Sequence, residues 1–147
     1  MTPLDHDTAF ELVDRLGHAY ALLEEAASEI AGEVGVTSAE LVALVVLVSI
    51  DAPLSQSDWG RLQGVTRQRA HVVANALVEK GLVERARSGR EARVSLTAAG
   101  RGKARRLRAS IGRAASRRLG ALGADQVSQL HALLGTLVEA LEATRNG

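Results

Sequence analysis

The chain contains no cysteine, so it has no disulfide framework, no thiolate zinc site and no thiol redox switch. Its longest apolar run is Leu41 to Val48, far short of the roughly 20 residues that cross a bilayer. Its first residues carry Asp5 and Asp7 and no base, which argues against a signal peptide. It has no internal repeat and no low-complexity tract. Neither a Gly-x-Gly-x-x-Gly nor a Walker pattern occurs. His6, His18, His71 and His131 are scattered and match no metal-ligand spacing. No carboxylate pair or Ser-His-Asp arrangement sits in a recognisable catalytic setting. The expectation is therefore no enzyme, no cofactor and no metal. With 147 residues and 46% apolar content, the chain is long enough for the core of one domain and too apolar to be disordered. A soluble, cytoplasmic protein is the simplest expectation.

Charge of one sign is missing from long stretches. Residues 1–60 hold eleven acids and a single base, Arg15. Residues 61–118 hold sixteen bases and three acids, a net of +13 that the overall charge of +1 conceals. Such segregation points to a polyanionic partner for the middle third, or else to a merely solvated arginine surface. The pattern inside the basic segment decides between them.

Leu12, Leu16, Ala19, Leu23, Ala26 and Ile30 recur at alternating spacings of four and three, which predicts one long helix from about Asp7 to Glu33. Gly35 supplies the left-handed turn that ends it. Thr37-Ser38-Ala39-Glu40 reads as a capping box. The valines of Leu41 to Ile50 suit a strand, but the box in front of them selects a buried helix, broken at Asp51-Ala52-Pro53. Ser55-Gln56-Ser57-Asp58 opens a short helix to about Gln63, with Trp59 packed inside. After a turn at Gly64, Thr66 caps a helix to Lys80, with Ala70, Val73, Ala74 and Leu77 inward and Gly81 as its stop. Alternation across Val83–Arg87 and Ala92–Leu96, with Ser88-Gly89 between, predicts a short β-hairpin. Thr97 caps a helix to about Leu119. A last helix, about Asp125 to Thr144, carries Val127, Leu130, Leu134, Leu137 and Leu141 at three/four spacing. The fold class is mainly α with a small β-hairpin wing: a winged helix-turn-helix between amphipathic terminal helices.

The seams of the first and last helices are narrow, and a narrow seam wants a helical partner. They can satisfy each other within one chain. Pairing across a two-fold axis also sets two basic reading heads side by side, matching DNA half-sites about 34 Å apart or a multiple of that. A homodimer is expected.

Two runs carry a family resemblance. Leu77-Val78-Glu79-Lys80-Gly81-Leu82-Val83-Glu84-Arg85 is followed, across the hairpin, by Val94-Ser95-Leu96-Thr97-Ala98-Ala99-Gly100. Together they resemble the multiple antibiotic resistance regulator (MarR) family, whose recognition helix ends in Leu-x-x-x-Gly-Leu-hydrophobic-x-Arg and whose wing exits through Leu-Thr-x-x-Gly. The resemblance runs in element order from about Leu12 to Leu141. It implies one domain over residues 1–147, with a DNA-binding lobe at about 38–97 and dimerisation helices at about 7–34 and 98–145. Three departures stand out. Ser88 replaces the wing's usual Asp in a shortened loop, Trp59-Gly60 replaces a Leu-Ala pair, and Gln63 replaces an apolar residue.

The N-terminal turns of a recognition helix enter the major groove. Arg67 and Arg69 suit guanine or phosphate, and Gln68 suits adenine. Thr66 and the first-turn amides suit phosphate. Asn75 lies farther along, within reach of backbone. His71 can meet a base, pack under the wing or act as a pH-sensitive contact. Arg87, Arg90 and Arg93 lie on or beside the hairpin. The resemblance gives Arg90 a minor-groove or phosphate contact, while Arg93 can instead pair with Glu91 or Glu84. Arg101 and Lys103 are placed to touch flanking phosphates. The other bases of that helix face solvent or pair with the acidic first helix.

The resemblance also implies a small aromatic or phenolic effector held between the dimerisation helices and the reading lobe. Arg15, His18 and Tyr20 are its nearest polar candidates, and they also suit an ordinary interface. The function expected is a ligand-responsive repressor binding double-stranded DNA as a homodimer. The alternative is a winged-helix protein-interaction module that has lost DNA binding.

Overall fold

Five of the six helices described start where a short polar side chain accepts a first-turn amide, and the last starts at a glycine instead. The computed structural model describes residues 2–147, apart from the Ser88 side chain. Helix α1 (His6–Glu33) starts at Asp5, whose carboxylate accepts from the Thr8 amide at 3.0 Å. Helix α2 (Ser38–Ile50) starts from the full capping box. Thr37 Oγ1 accepts from the Glu40 amide and Glu40 Oε1 accepts from the Thr37 amide, both at 3.1 Å. Helices α3 (Gln56–Leu62) and α4 (Arg67–Glu79) are capped by the hydroxyls of Ser55 and Thr66. Each such cap contributes about 1 kcal/mol. Helices α5 (Ala98–Leu119) and α6 (Ala124–Asn146) complete the set.

The sheet has one strand more than the alternation predicts. Strands β2 (Val83–Ser88) and β3 (Glu91–Leu96) form the hairpin around Gly89, whose φ of +66° suits glycine. Strand β1 (Leu54–Ser55) joins the other edge of β3, setting Leu54 opposite Val94 and Ser55 opposite Arg93. Two residues are too few to show any period, so β1 is set by tertiary contact alone. It seats the base of the wing against the entry to α3.

The chain divides into two compact units, one ending at Gly112 and one of Arg113–Gly147, so the boundary falls inside α5. The first unit holds the main core. Leu44 and Leu47 of α2, Trp59 of α3, Leu77 of α4, Val94 of β3 and Leu107 of α5 are its largest fully buried side chains. Burying a leucine of this kind contributes roughly 2 kcal/mol. The expected inward face of α4 is the observed one: Ala70, Val73, Ala74 and Leu77 are all buried. The Trp59 indole N–H donates to the Ala43 carbonyl at 2.9 Å, which satisfies the only polar atom of a fully enclosed ring.

The two sequence runs on either side of the hairpin meet at one point. The Thr97 amide donates to the Leu82 carbonyl at 3.1 Å and the Thr97 hydroxyl donates to the Gly81 carbonyl at 2.7 Å. The same hydroxyl accepts from the Gly100 amide at 3.0 Å, capping α5. A Cβ at position 100 would lie 1.8 Å from the Leu82 carbonyl oxygen, so only glycine lets α5 cross the end of α4 this closely. Gly-Leu and Thr-x-x-Gly are thus two halves of one joint.

In the second unit α6 leaves much of its stripe in solvent, with Val127, Leu130, Leu134 and Leu141 all exposed. In the first, α1 does the same with Leu12, Leu16 and Leu23. No single helix among the described residues is long and apolar enough to cross a membrane.

Candidate nucleic-acid interface

Most helices here carry an acid in the first turn: Asp7 in α1, Glu40 in α2, Asp58 in α3 and Asp125 in α6. That placement complements the positive end of the helix dipole. Helices α4 and α5 have none. In α5 the early bases are held internally. Arg101 pairs with Asp51, and Lys103 Nζ donates to the Val34 carbonyl at 3.0 Å. Both side chains thus have partners within the chain, besides the flanking phosphates expected of them. In α4, Arg67 and Arg69 are exposed and make no ion pair among the described residues. Two cations at a positive helix end oppose folding by a few tenths to about 1 kcal/mol each. An anionic partner turns that cost into affinity.

The exposed side of α4 holds Gln68, Val72 and Asn75 at spacings of four and three, opposite the buried face. Arg67 and Arg69 flank this ridge. Thr66 Oγ1 is engaged as the cap, accepting from the Arg69 amide at 3.2 Å. His71 is exposed, and its Nδ1 lies 3.4 Å from Gln56 Nε2 on α3. That contact sets the ring beside the start of α3. Asn75 Oδ1 accepts a hydrogen bond from Arg85 on β2, so it ties the recognition helix to the wing.

The hairpin register sorts the wing arginines by face. Arg85 lies opposite Val94 and Arg87 opposite Ala92, on the face that carries the buried Val94. Arg93 lies opposite Ala86 on the other face, and Arg90 sits in the turn. All three of Arg87, Arg90 and Arg93 are exposed. Arg93 forms no ion pair among the described residues, so pairing with Glu84 or Glu91 is not realised.

The far end of α4 is anchored through charge. Lys80 Nζ donates to Glu40 Oε1 at 3.0 Å and to the Gly35 carbonyl at 3.1 Å. Burial pushes the Glu40 carboxyl up. The hydrogen bonds from Lys80 and Thr37 outweigh it and hold the group below the ordinary glutamate value.

Arg15, His18 and Tyr20 are exposed along α1. A groove of about 510 Å³ lies instead between the start of α2 and the first turns of α4, lined by Thr37, Glu40, Arg69 and Val73 among others. Among the described residues, no cluster of three or more His, Asp or Glu side chains is placed to hold a metal ion.

Sequence reasoning passed over Val72, Gln56 and Arg85. Val72 was legible as an apolar residue off the buried face of α4. The partners of Gln56 and Arg85 are not neighbours in sequence and gave no signal. Two of the departures find a structural use. Gln63 Nε2 donates to the Trp59 carbonyl at 3.1 Å at the end of α3. A Cβ at Gly60 would come within 2.9 Å of Ala70 Cβ, so glycine lets α3 and α4 close up beside Trp59.

The MarR family model matches residues 34–93. The chain is 32% identical to the Mycobacterium tuberculosis MarR family protein Rv2887 in its complex with salicylic acid. That match covers 93% of this chain and 97% of that one, with a TM-score of 0.69. The same protein with p-aminosalicylic acid gives 31% identity, 92% and 98% coverage and a TM-score of 0.69. A MarR family protein from Bacillus stearothermophilus shares the fold at 18% identity, with 95% and 99% coverage and a TM-score of 0.78. Among curated proteins none matches.

Proposed function

This chain belongs to the MarR family of winged-helix, DNA-binding transcriptional regulators, and from that premise we propose that it is a ligand-responsive repressor acting as a homodimer on a pseudo-palindromic operator. The observation that carries the reading is the unpaired cationic start of α4, Arg67 and Arg69, on a helix whose outward ridge is free to enter a major groove.

Arg67, Gln68 and Arg69 read base edges, and Thr66 with the first-turn amides takes phosphate. His71 and Asn75 border that surface. Arg90, at the wing tip, enters the minor groove or takes phosphate, with Arg87 and Arg93 reaching backbone from opposite faces of the hairpin. The exposed seams of α1 and of α6 are each surfaces for a second copy, which brings two reading heads to one operator. Bound DNA is closed to polymerase by occupancy in the cytoplasm. We assign the chain no catalytic role.

A small aromatic acid is the effector class favoured by the salicylic acid and p-aminosalicylic acid complexes of the M. tuberculosis relative. Arg15, His18 and Tyr20 are the polar groups of α1 available to it. Such a ligand releases DNA only by binding one spacing of the reading heads more tightly than the other.

The test is a gel shift on the DNA upstream of its own gene, at two salt concentrations. Tight binding that weakens steeply with salt is expected. Arg67→Ala and Arg69→Ala should relax sequence preference, while Arg90→Ala should weaken binding with less change in preference. Binding indifferent to salt, or none, would favour a protein-interaction module.

A further inference from the structure

Val72 is an apolar side chain with no role in the core. It is 61% exposed, whereas Ala70, Val73, Ala74 and Leu77 on the same helix are buried. It stands on the outward ridge one turn after Gln68 and three residues before Asn75, flanked by the uncompensated cations Arg67 and Arg69. A branched hydrocarbon this exposed gains nothing from water and gives little to folding. With Gln68 and Arg69, Val72 borders the groove between α2 and α4, and this mix of cations and one hydrocarbon suits the floor of a major groove, where phosphates meet the arginines and the thymine 5-methyl is the one apolar group displayed.

We propose that Val72 is a specificity-determining residue that packs against a thymine methyl. The inference rests on the reading above, that α4 lies in the major groove. Four helical residues rise about 6 Å, close to two base-pair steps. The thymine therefore lies within about two base pairs of the adenine that Gln68 reads. Gln68 and Val72 together specify a short A/T-containing element inside each half-site.

The experiment replaces thymine by deoxyuridine, which deletes the methyl and leaves every hydrogen-bonding edge intact. Operator is first selected from random duplex DNA with the full-length protein. If no duplex is selected, the DNA-binding reading itself falls at this stage and takes the assignment of Val72 with it. Each half-site thymine is then changed singly to deoxyuridine. Wild-type protein should lose affinity about fourfold at one or two positions, the value of one buried methyl-sized group. Val72→Ala should bind the thymine operator more weakly by a similar factor and show almost no further loss on the uridine operator. Because the side chain is exposed, this variant should keep the wild-type Tm and oligomeric state. The assignment is overturned if no thymine is sensitive to its methyl, if Val72→Ala keeps the full uridine penalty, or if the variant changes subunit association instead.

Discussion

Lys80 Nζ stands 2.9 Å from one carboxylate oxygen of Glu40 and 3.0 Å from the other, joining the end of the recognition helix to the first turn of α2. The Glu40 side chain is 5% exposed and that of Lys80 40% exposed, so one partner is buried and the other half in water. The acid could not stay charged there without its capping amide and its ammonium. Because Lys80 also holds the Gly35 carbonyl, a single side chain clamps α4 to the turn between α1 and α2.

Lys80→Met should destabilise the protein by about 2 kcal/mol, read as a lower urea midpoint, because a buried carboxylate loses its charged donor. Lys80→Arg should restore much of the loss. An unchanged midpoint for Lys80→Met would show the clamp to be idle.

Glu40 also predicts a pH dependence. Its folded pKa is lowered, so its contribution is fully present above the unfolded value of about 4.3 and is lost as pH falls through the depressed folded value. The stability gap between wild type and Glu40→Gln should therefore be widest near pH 7 and shrink toward pH 3. Denaturant titrations of both proteins across that range measure it. A gap that widens in acid contradicts the assignment.

Gly100→Ala should cost about 3 kcal/mol or prevent folding, since its methyl would collide with the Leu82 carbonyl in a joint of two backbones. Gly112→Ala is the control. It lies on the same helix with nothing within 4 Å of the added Cβ, and it should be neutral or stabilising. Thermal melts separate the two.

Trp59 is the single tryptophan, so its emission reports the core directly. Native protein should emit at short wavelength and shift red on unfolding. Trp59→Phe should lower stability by about 2 kcal/mol through the lost ring volume and the lost donor to Ala43. The melt of that variant is followed by circular dichroism.

Leu141 is 59% exposed on α6 and belongs to the three/four seam. If that seam is a subunit surface, Leu141→Glu should convert dimer to monomer in sedimentation at micromolar concentration. Operator affinity should fall by at least tenfold. A wild-type sedimentation profile for Leu141→Glu would remove α6 from the interface.

The helix order was legible because each start depends on residues within four positions of one another: Asp5 with Thr8, Thr37 with Glu40, Ser55 with Asp58, Thr66 with Arg69. The buried face of α4 was legible because helical period and burial coincide. Strand β1 was not, since its pairing partner lies some forty residues downstream and supplies all the order it has.

The cations divide along the same line. Sequence alone determined that the middle third is basic and that two arginines open α4, because composition and local caps are properties of adjacent residues. Which cations stay free was decided only by the tertiary structure. Arg101, Lys103 and Lys80 are bases of the same kind as Arg67 and Arg69, yet folding brings Asp51, the Val34 carbonyl and Glu40 to the first three and, among the described residues, no ion-pair partner to the last two. A charge is neutralised by what lies within about 4 Å in space, and those neighbours come from segments tens of residues away.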